Sequence, residues 1–409
     1  MNKNHIARIA VGGVILVLLL SVAGQAFAVG ADTPGVPGGT ARKIVVFRDS
    51  VTSEGAQDQI VAQAGAAKIK HVRIVNATVA LATPASEQAL RQRPEVLRID
   101  DDAIAQVLVK PEGKPTKPTP APPTPEVLPW GVERIDAELV WDKNRDLTVD
   151  TGANAGSGVK VGVVDTGIDL DHPDLSANIK GGYNAINPRK APDDDNGHGT
   201  HVAGIIAAVD NAQGVIGVAP QVSLYAVKVL GPSGTGWISD IIEGLQWCVD
   251  NGVQVVNMSL GSTSDVTSFH DAIKTVYNEG ITIVAAAGNS GPGDNTVEYP
   301  AKYSEVIAVS ATDQSNQIAS FSSRGPEVEV AAPGVAIPST YKGGGYATLS
   351  GTSMASPHVA GTAALVIASG VTSPDSIRQK LTSMATDLGE PGLDNLYGYG
   401  LVNALGAVK

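Results

Sequence analysis

A single cysteine, Cys248, stands in the 409 residues. One thiol forms no internal disulfide, so packing or bound ions must hold the chain together. Aromatic residues make up only 4% of the sequence, against 46 glycines. The core is therefore expected to be built from small aliphatic side chains and close backbone contacts. Positive charge is also in short supply, with a net charge of −12. An acidic protein of this kind repels nucleic acid and anionic membrane surfaces, which removes both as partners. Beyond the first 28 residues, no apolar run is long enough to span a bilayer. What remains is 43% hydrophobic and 17% charged, a composition for folded globular domains with room for at least one large core.

The charge is unevenly spread. Residues 41–108 carry nine Lys/Arg against eight Asp/Glu, whereas 109–409 carry 18 against 32. Composition divides the chain in the same places. Residues 1–28 read as a secretory signal: Lys3 and Arg8, an apolar stretch over 9–22, then Ala26-Phe27-Ala28 as a cleavage pattern. The protein is accordingly expected outside the cell, with no stable membrane association once this leader is removed. Residues 29–40 read as a disordered segment. Residues 41–108 predict strands at 43–48, 66–73, 77–82 and 96–100 and helices at 54–64 and 84–93. That β-α-β-β-α-β order makes a small ferredoxin-like α+β domain. Seven prolines between Pro111 and Pro125 mark 109–126 as an extended linker.

Residues 127–409 alternate strand and helix. Strands are expected at 160–165, 223–230, 253–260, 281–287 and 306–311, and helices at 198–209, 239–250, 268–279 and 353–369. Gly252 and Gly280 suit C-terminal caps. The strands are near-continuous apolar runs, which suits burial on both faces. The expected fold is α/β, a doubly wound and mostly parallel sheet flanked by helices.

Three segments carry chemistry. Asp165 ends a predicted strand in VGVVDTGID. His198 opens a predicted helix in NGHGTHVAG. Ser353 opens another in GTSMASPHVAG. Strand ends and helix starts on one edge of such a sheet converge on a single crevice. A serine hydroxyl needs a base to become a nucleophile, and a neutral imidazole held by a buried carboxylate is such a base. An esterase of the α/β-hydrolase type would need G-x-S-x-G and the order Ser, Asp, His, and neither is present. An inactive binding homologue would be expected to lack one of these groups.

On these three segments the chain resembles the subtilisin family of serine peptidases, whose triad runs in the same order. The resemblance extends from about residue 128 to 408. It implies a serine endopeptidase of polypeptides, acting as a monomer, with Asp165, His198 and Ser353 as the triad. Asn289, in AAAGNSG, would form the oxyanion hole with the Ser353 backbone N–H. Ser259-Leu260-Gly261 and Gly234-Thr235-Gly236 would hold an extended peptide between them. Ala286, Ala287 and Gly288 would wall the primary pocket. Glu298 falls near its base, where many relatives have a smaller residue, and there it would widen tolerance to Lys or Arg. The front domain resembles the family's propeptide, a chaperone and inhibitor. Its tail would lie in the active site, with Leu108 in the primary pocket, Ala105 in a distal one, and self-cleavage between Leu108 and Val109.

The family also implies calcium, a cation served by carboxylates and carbonyls. One site would use the side chains of Glu126, Asp174 and Asn211 with the carbonyls of Val209, Gln213 and Val215. A second candidate is the loop with Asp142, Asn144, Asp146 and Asp150, whose alternating oxygen side chains resemble the start of a calcium loop but lack its glycine and final glutamate. Asp193–Asp195 read as a solvated acidic run. His172 and His201 need no zinc to explain them, and Cys248 reads as a buried small apolar residue.

Overall fold

The computed structural model describes residues 39–109 and 125–409. The expected leader, most of the segment after it and the proline-rich stretch of the linker lie outside these residues.

The front unit follows the expected order. It comprises β1 (Ala41–Phe47), α1 (Glu54–Gln63), β2 (Ala67–Val72), β3 (Ala77–Ala82), α2 (Pro84–Arg91) and β4 (Val96–Asp101). The strands form one sheet in the order β2-β3-β1-β4, with every pairing antiparallel. Side chains alternate across such a sheet, so the unit has two apolar faces. Val45, Phe47 and Ile99 pack under the helices with Ile60, Val61 and Leu90. Ile44, Val46 and Val79 instead join a core shared with the body. A last short strand, β5 (Ile104–Val107), leaves this sheet altogether.

The body begins with two short helices, α3 (Trp130–Arg134) and α4 (Glu138–Trp141). Strand β6 (Lys160–Asp165) has the expected bounds. Then come β7 (Ile179–Asn184), α5 (His198–Ala207), β8 (Ser223–Lys228), β9 (Thr235–Trp237) and α6 (Ile238–Asp250). They are followed by β10 (Val255–Met258), β11 (Leu260–Gly261), α7 (Thr267–Asn278), β12 (Thr282–Ala286) and β13 (Val306–Thr312). Last are β14 (Val328–Pro333), a hairpin of β15 (Ile337–Tyr341) and β16 (Gly345–Leu349), α8 (Thr352–Ala368), α9 (Pro374–Ser383) and α10 (Ala404–Ala407).

Seven strands form one sheet, in the order β14-β13-β12-β10-β6-β8-β7, with all neighbours parallel. From β6 the chain winds first toward β7 and β8, then back through β10 to β14. The order therefore reverses at the β6–β10 junction, where a parallel sheet opens a crevice beyond its strand ends. Helix α8 passes behind this junction, buried over nearly its whole length. Its small residues permit the approach: a Cβ on Gly361 would stand 2.7 Å from Val218 Cβ.

Helices α6 and α7 begin after Trp237 and Val266, apolar residues that offer no side-chain cap. The front unit supplies the caps. Asp102 Oδ1 accepts from Ser239 N at 2.9 Å, and its Oδ2 from Ser239 Oγ at 2.8 Å. Asp100 Oδ2 accepts from Ser268 N at 3.0 Å and from the Ser268 hydroxyl. Carboxylates at helix N-termini satisfy orphan N–H groups and meet the positive end of the helix dipole.

Candidate active site

Strand β6 ends on Asp165, fully buried. Its Oδ1 accepts from Thr166 N at 2.7 Å and lies 2.7 Å from His198 Nδ1. His198 is the first residue of α5, and Gly197 before it has a φ of +111°, where a side chain would be strained and would run into the Tyr341 ring. With a glycine in the capping position, the helix borrows its cap from Asp194. That carboxylate accepts from the N–H groups of Asn196, Gly197 and Thr200 and from the hydroxyls of Thr166 and Thr200, at 2.6–3.0 Å. The expectation of a solvated acidic run over Asp193–Asp195 is thus corrected: Asp194 is buried and holds the histidine's helix against the aspartate's strand. The imidazole, held by its Nδ1, directs a buried Nε2 that forms no hydrogen bond among the described residues.

Ser353 lies in the first turn of α8. Its Oγ donates to Ser259 O at 2.9 Å and accepts from Leu108 N at 3.1 Å. Its own N–H points at Leu108 O, 3.4 Å away. Asn289 lies just beyond the end of β12. Thr352 N and Oγ1 both donate to Asn289 Oδ1, at 3.0 and 3.1 Å. These two bonds fix the amide so that Nδ2 faces away from Thr352, buried and without a partner among the described residues. A Cβ on Gly351 would overlap Leu108 O and stand 3.3 Å from that Nδ2. Carbonyl and amide therefore border the same small space, which only a glycine leaves open. Thr352 was missed in the sequence, although its place next to Ser353 in GTS was a usable signal.

The chain leading to Leu108 runs between the two predicted binding segments. Strand β5 pairs antiparallel with both β11 and β9. Leu260 faces Val107, Gly261 faces Gln106, Gly236 faces Ala105 and Thr235 faces Gln106. Val107 N donates to Gly234 O at 2.9 Å, and a Cβ on Gly234 would crowd Val107 Cγ2 at 2.9 Å. Leu108 is 3% exposed, and its methyls lie over Gly261. The buried Ala286 and Ala287 end β12 beside Gly288. Glu298 hangs from this wall: its N–H donates to Ala287 O at 2.9 Å. Its carboxylate reaches between Gly261 and Gly288 and accepts from Ser290 Oγ at 3.1 Å. Burial pushes this carboxyl above the ordinary range.

The subtilase family model matches residues 156–400. The chain is 45% identical over 328 residues to an alkaline protease of Alkalihalobacillus alcalophilus, covering 80% of this chain and 78% of that one. It is 50% identical over 283 residues to subtilisin Savinase of Lederbergia lenta, covering 69% of this chain and 99% of that one. It is also 39% identical over 372 residues to subtilisin amylosacchariticus of Bacillus subtilis subsp. amylosacchariticus, covering 90% of each.

The chain belongs to the subtilase family. As a subtilase it is a subtilisin-like serine endopeptidase acting on polypeptides.

The residues expected to bind calcium in this subtilase come together. Asp174 is fully buried; its Oδ1 accepts from Asn211 Nδ2 at 2.9 Å and its Oδ2 from Val215 N and Tyr346 OH at 3.0 Å. Glu126 Oε1 accepts from Asn211 N at 2.9 Å, and Gln213 N donates to Asn211 Oδ1 at 3.1 Å. Val209 N donates to Asp174 O at 2.9 Å. Burial, then the neighbouring Asp210 and Asp174, push the Glu126 carboxyl up to about 7. Burial raises Asp174 as well. Carboxylates whose charge is disfavoured in this way fit a site that a divalent cation would complete. No cluster of three or more His, Cys, Asp or Glu side chains stands at metal-binding spacing among the described residues; the fit rests on the two carboxylates Glu126 and Asp174, brought together by Asn211.

In the second candidate loop the oxygens serve the backbone. Asp142 accepts from Asp146 N and Leu147 N, Asn144 from Asp146 N, Asp146 from Thr148 N and Asp150 from Lys143 N, at 2.8–3.2 Å. His201 is fully buried with Nε2 3.1 Å from two backbone carbonyls, and burial lowers it to about 3. Cys248 is fully buried, and burial pushes its thiol up to about 12.

Proposed function

We propose that this subtilase cuts polypeptides with the triad Asp165, His198 and Ser353, and that it is secreted as a monomeric precursor that processes itself. His198 Nε2 would take the Ser353 proton as Oγ attacks the peptide carbonyl, then give it to the departing amine. Asp165 fixes the tautomer and stabilises the imidazolium. Asn289 Nδ2 and the Ser353 N–H would hold the oxyanion of both tetrahedral states, and water would resolve the acyl-enzyme. With Ser353 Oγ bonded to Ser259 O, the proton relay forms once the hydroxyl turns toward His198, a tightening expected as the reaction begins.

The observation that carries this reading is the position of Leu108. Its carbonyl borders the Ser353 N–H and the Asn289 amide, and its buried side chain lies over Gly261. Residues 41–108 would then be the propeptide, 109–126 the linker, 127–409 the peptidase domain, and Leu108–Val109 the self-cleavage site. A broad, apolar-leaning preference before the cut follows from that placement. Expressing wild type beside Ser353→Ala and measuring intact masses tests all of this. A cut after Leu108 in wild type alone is expected. Identical masses for the two would overturn the reading.

Calcium would be held by Glu126, Asp174 and Asn211 with the carbonyls of Val209, Gln213 and Val215. There it would supply charge compensation and tie the start of the body to the loop after α5. The proposal covers this one site. Chelation is expected to lower the melting temperature and added calcium to restore it. A melting temperature indifferent to both would overturn it.

A further inference from the structure

Glu298 is 7% exposed, and among the described residues its carboxylate meets one neutral hydroxyl, that of Ser290, at 3.1 Å from Oε1. Two glycines make room for it. A Cβ on Gly261 would stand 2.6 Å from Glu298 Oε2, and one on Gly288 would stand 3.1 Å from Oε1. The same Gly261 position lies 2.9 and 3.1 Å from the two Leu108 methyls. Oε2 and the end of the leucine side chain therefore share one contact point. A lysine follows the path of a leucine as far as Cδ and then extends about 2.5 Å further, to an ammonium. Oε2 lies no more than about 5.5 Å from a Leu108 methyl through that point, so the extension brings an ammonium within hydrogen-bonding reach of it.

We propose that Glu298 makes this pocket lysine-selective as well as apolar, with the free Oε2 pairing the ammonium of a lysine before the cut bond and lysine favoured over arginine. This rests on the peptidase reading above. Ser290 already occupies one acceptor position on Oε1, so Oε2 is the better placed of the two oxygens for a ligand in the pocket. A compact ammonium needs one acceptor, whereas a guanidinium fork is best met by two. A leucine leaves the carboxylate desolvated, in keeping with the raised pKa of its acid. A lysine supplies the counter-charge a buried carboxylate lacks.

The test uses the mature protein and matched peptides that differ only in Leu, Lys or Arg before the cut, for wild type, Glu298→Gln and Glu298→Asp. Wild type is expected to prefer Lys to Arg. The Lys-to-Leu ratio of kcat/KM is expected to fall roughly ten- to a hundredfold in the Gln variant, the range for a charge-assisted hydrogen bond, and by less in the Asp variant. A ratio unchanged in both variants would overturn the inference while Leu hydrolysis leaves the peptidase reading intact. Arginine cleaved as well as lysine would overturn the one-oxygen geometry. Failure of wild type to cut any of the peptides would overturn the peptidase reading itself.

Discussion

Single residues divide here by whether their polar atoms have partners. Asn289 Nδ2 and His198 Nε2 are buried and unbonded among the described residues, and the Asn289 amide borders the Leu108 carbonyl. Asn289→Ala is expected to lower kcat about 10²–10³-fold with KM little changed, the loss known for the oxyanion asparagine of a subtilisin; steady-state kinetics on one peptide would check it. Glu138 is a different case. It is buried, its Oε2 lacks a partner, and burial followed by Asp136 and Glu133 raises it from 4.5 to about 7. A carboxyl raised on folding favours the folded state below its unfolded pKa and loses that contribution as pH climbs through about 7. Glu138→Gln is therefore expected to be the more stable protein above pH 8, by roughly 2 kcal/mol, with the gap closing below pH 5. Denaturant unfolding at the two pH values measures it. Asp165, His198, Ser353, Asn289 and Glu298 stand out as candidates because each sits in a short segment with its own chemistry. Asp194 and Ser290 do not, because each acts through contacts that only folding brings within reach.

At the level of elements, long apolar runs announced themselves and edges did not. Strand β6 has the predicted bounds and the four main helices start within a residue of expectation, since burial on both faces leaves an unmistakable pattern. Strand β7, IKGGYN, is an edge strand with two glycines and several polar residues, and it reads as a turn. The β15–β16 hairpin is hidden for the same reason by the glycines of its loop. Helix α9 was overlooked although Ser373 caps it and Pro374 opens it, a usable start signal. The caps of α6 and α7 have no local signal at all, because they arrive from the front unit. Asp102→Ala in a Ser353→Ala background is expected to cost about 1 kcal/mol of precursor stability, read from denaturant midpoints. An unchanged midpoint would show that α6 is capped well enough without it.

Across the whole molecule, charge is sorted by side. Five ion pairs join the front unit to α6 and α7, and in each the cation is in front: Lys70 with Asp240 and Glu243, Arg42 with Asp240, Arg73 with Asp250, and Arg98 with Asp271. The Arg73 pair is largely exposed and contributes little; Lys70, half buried between two carboxylates, contributes more. Salt screens such pairs, so raising NaCl from about 50 to 500 mM is expected to shorten the interval between cleavage and the first peptidase activity. A longer interval at high salt would show that apolar burial governs release instead. The place of β5 carries a further consequence. It is the tail of the front unit and also the middle strand of the sheet that a bound peptide would complete. On the proposed propeptide reading, each molecule would be born with one equivalent of its own blocker, and each blocker, once loosened, would be food for any neighbour already free. Activity in such a population would not grow in proportion to time. It would smoulder, then catch, and a trace of ripe protein added at the start is expected to abolish the wait.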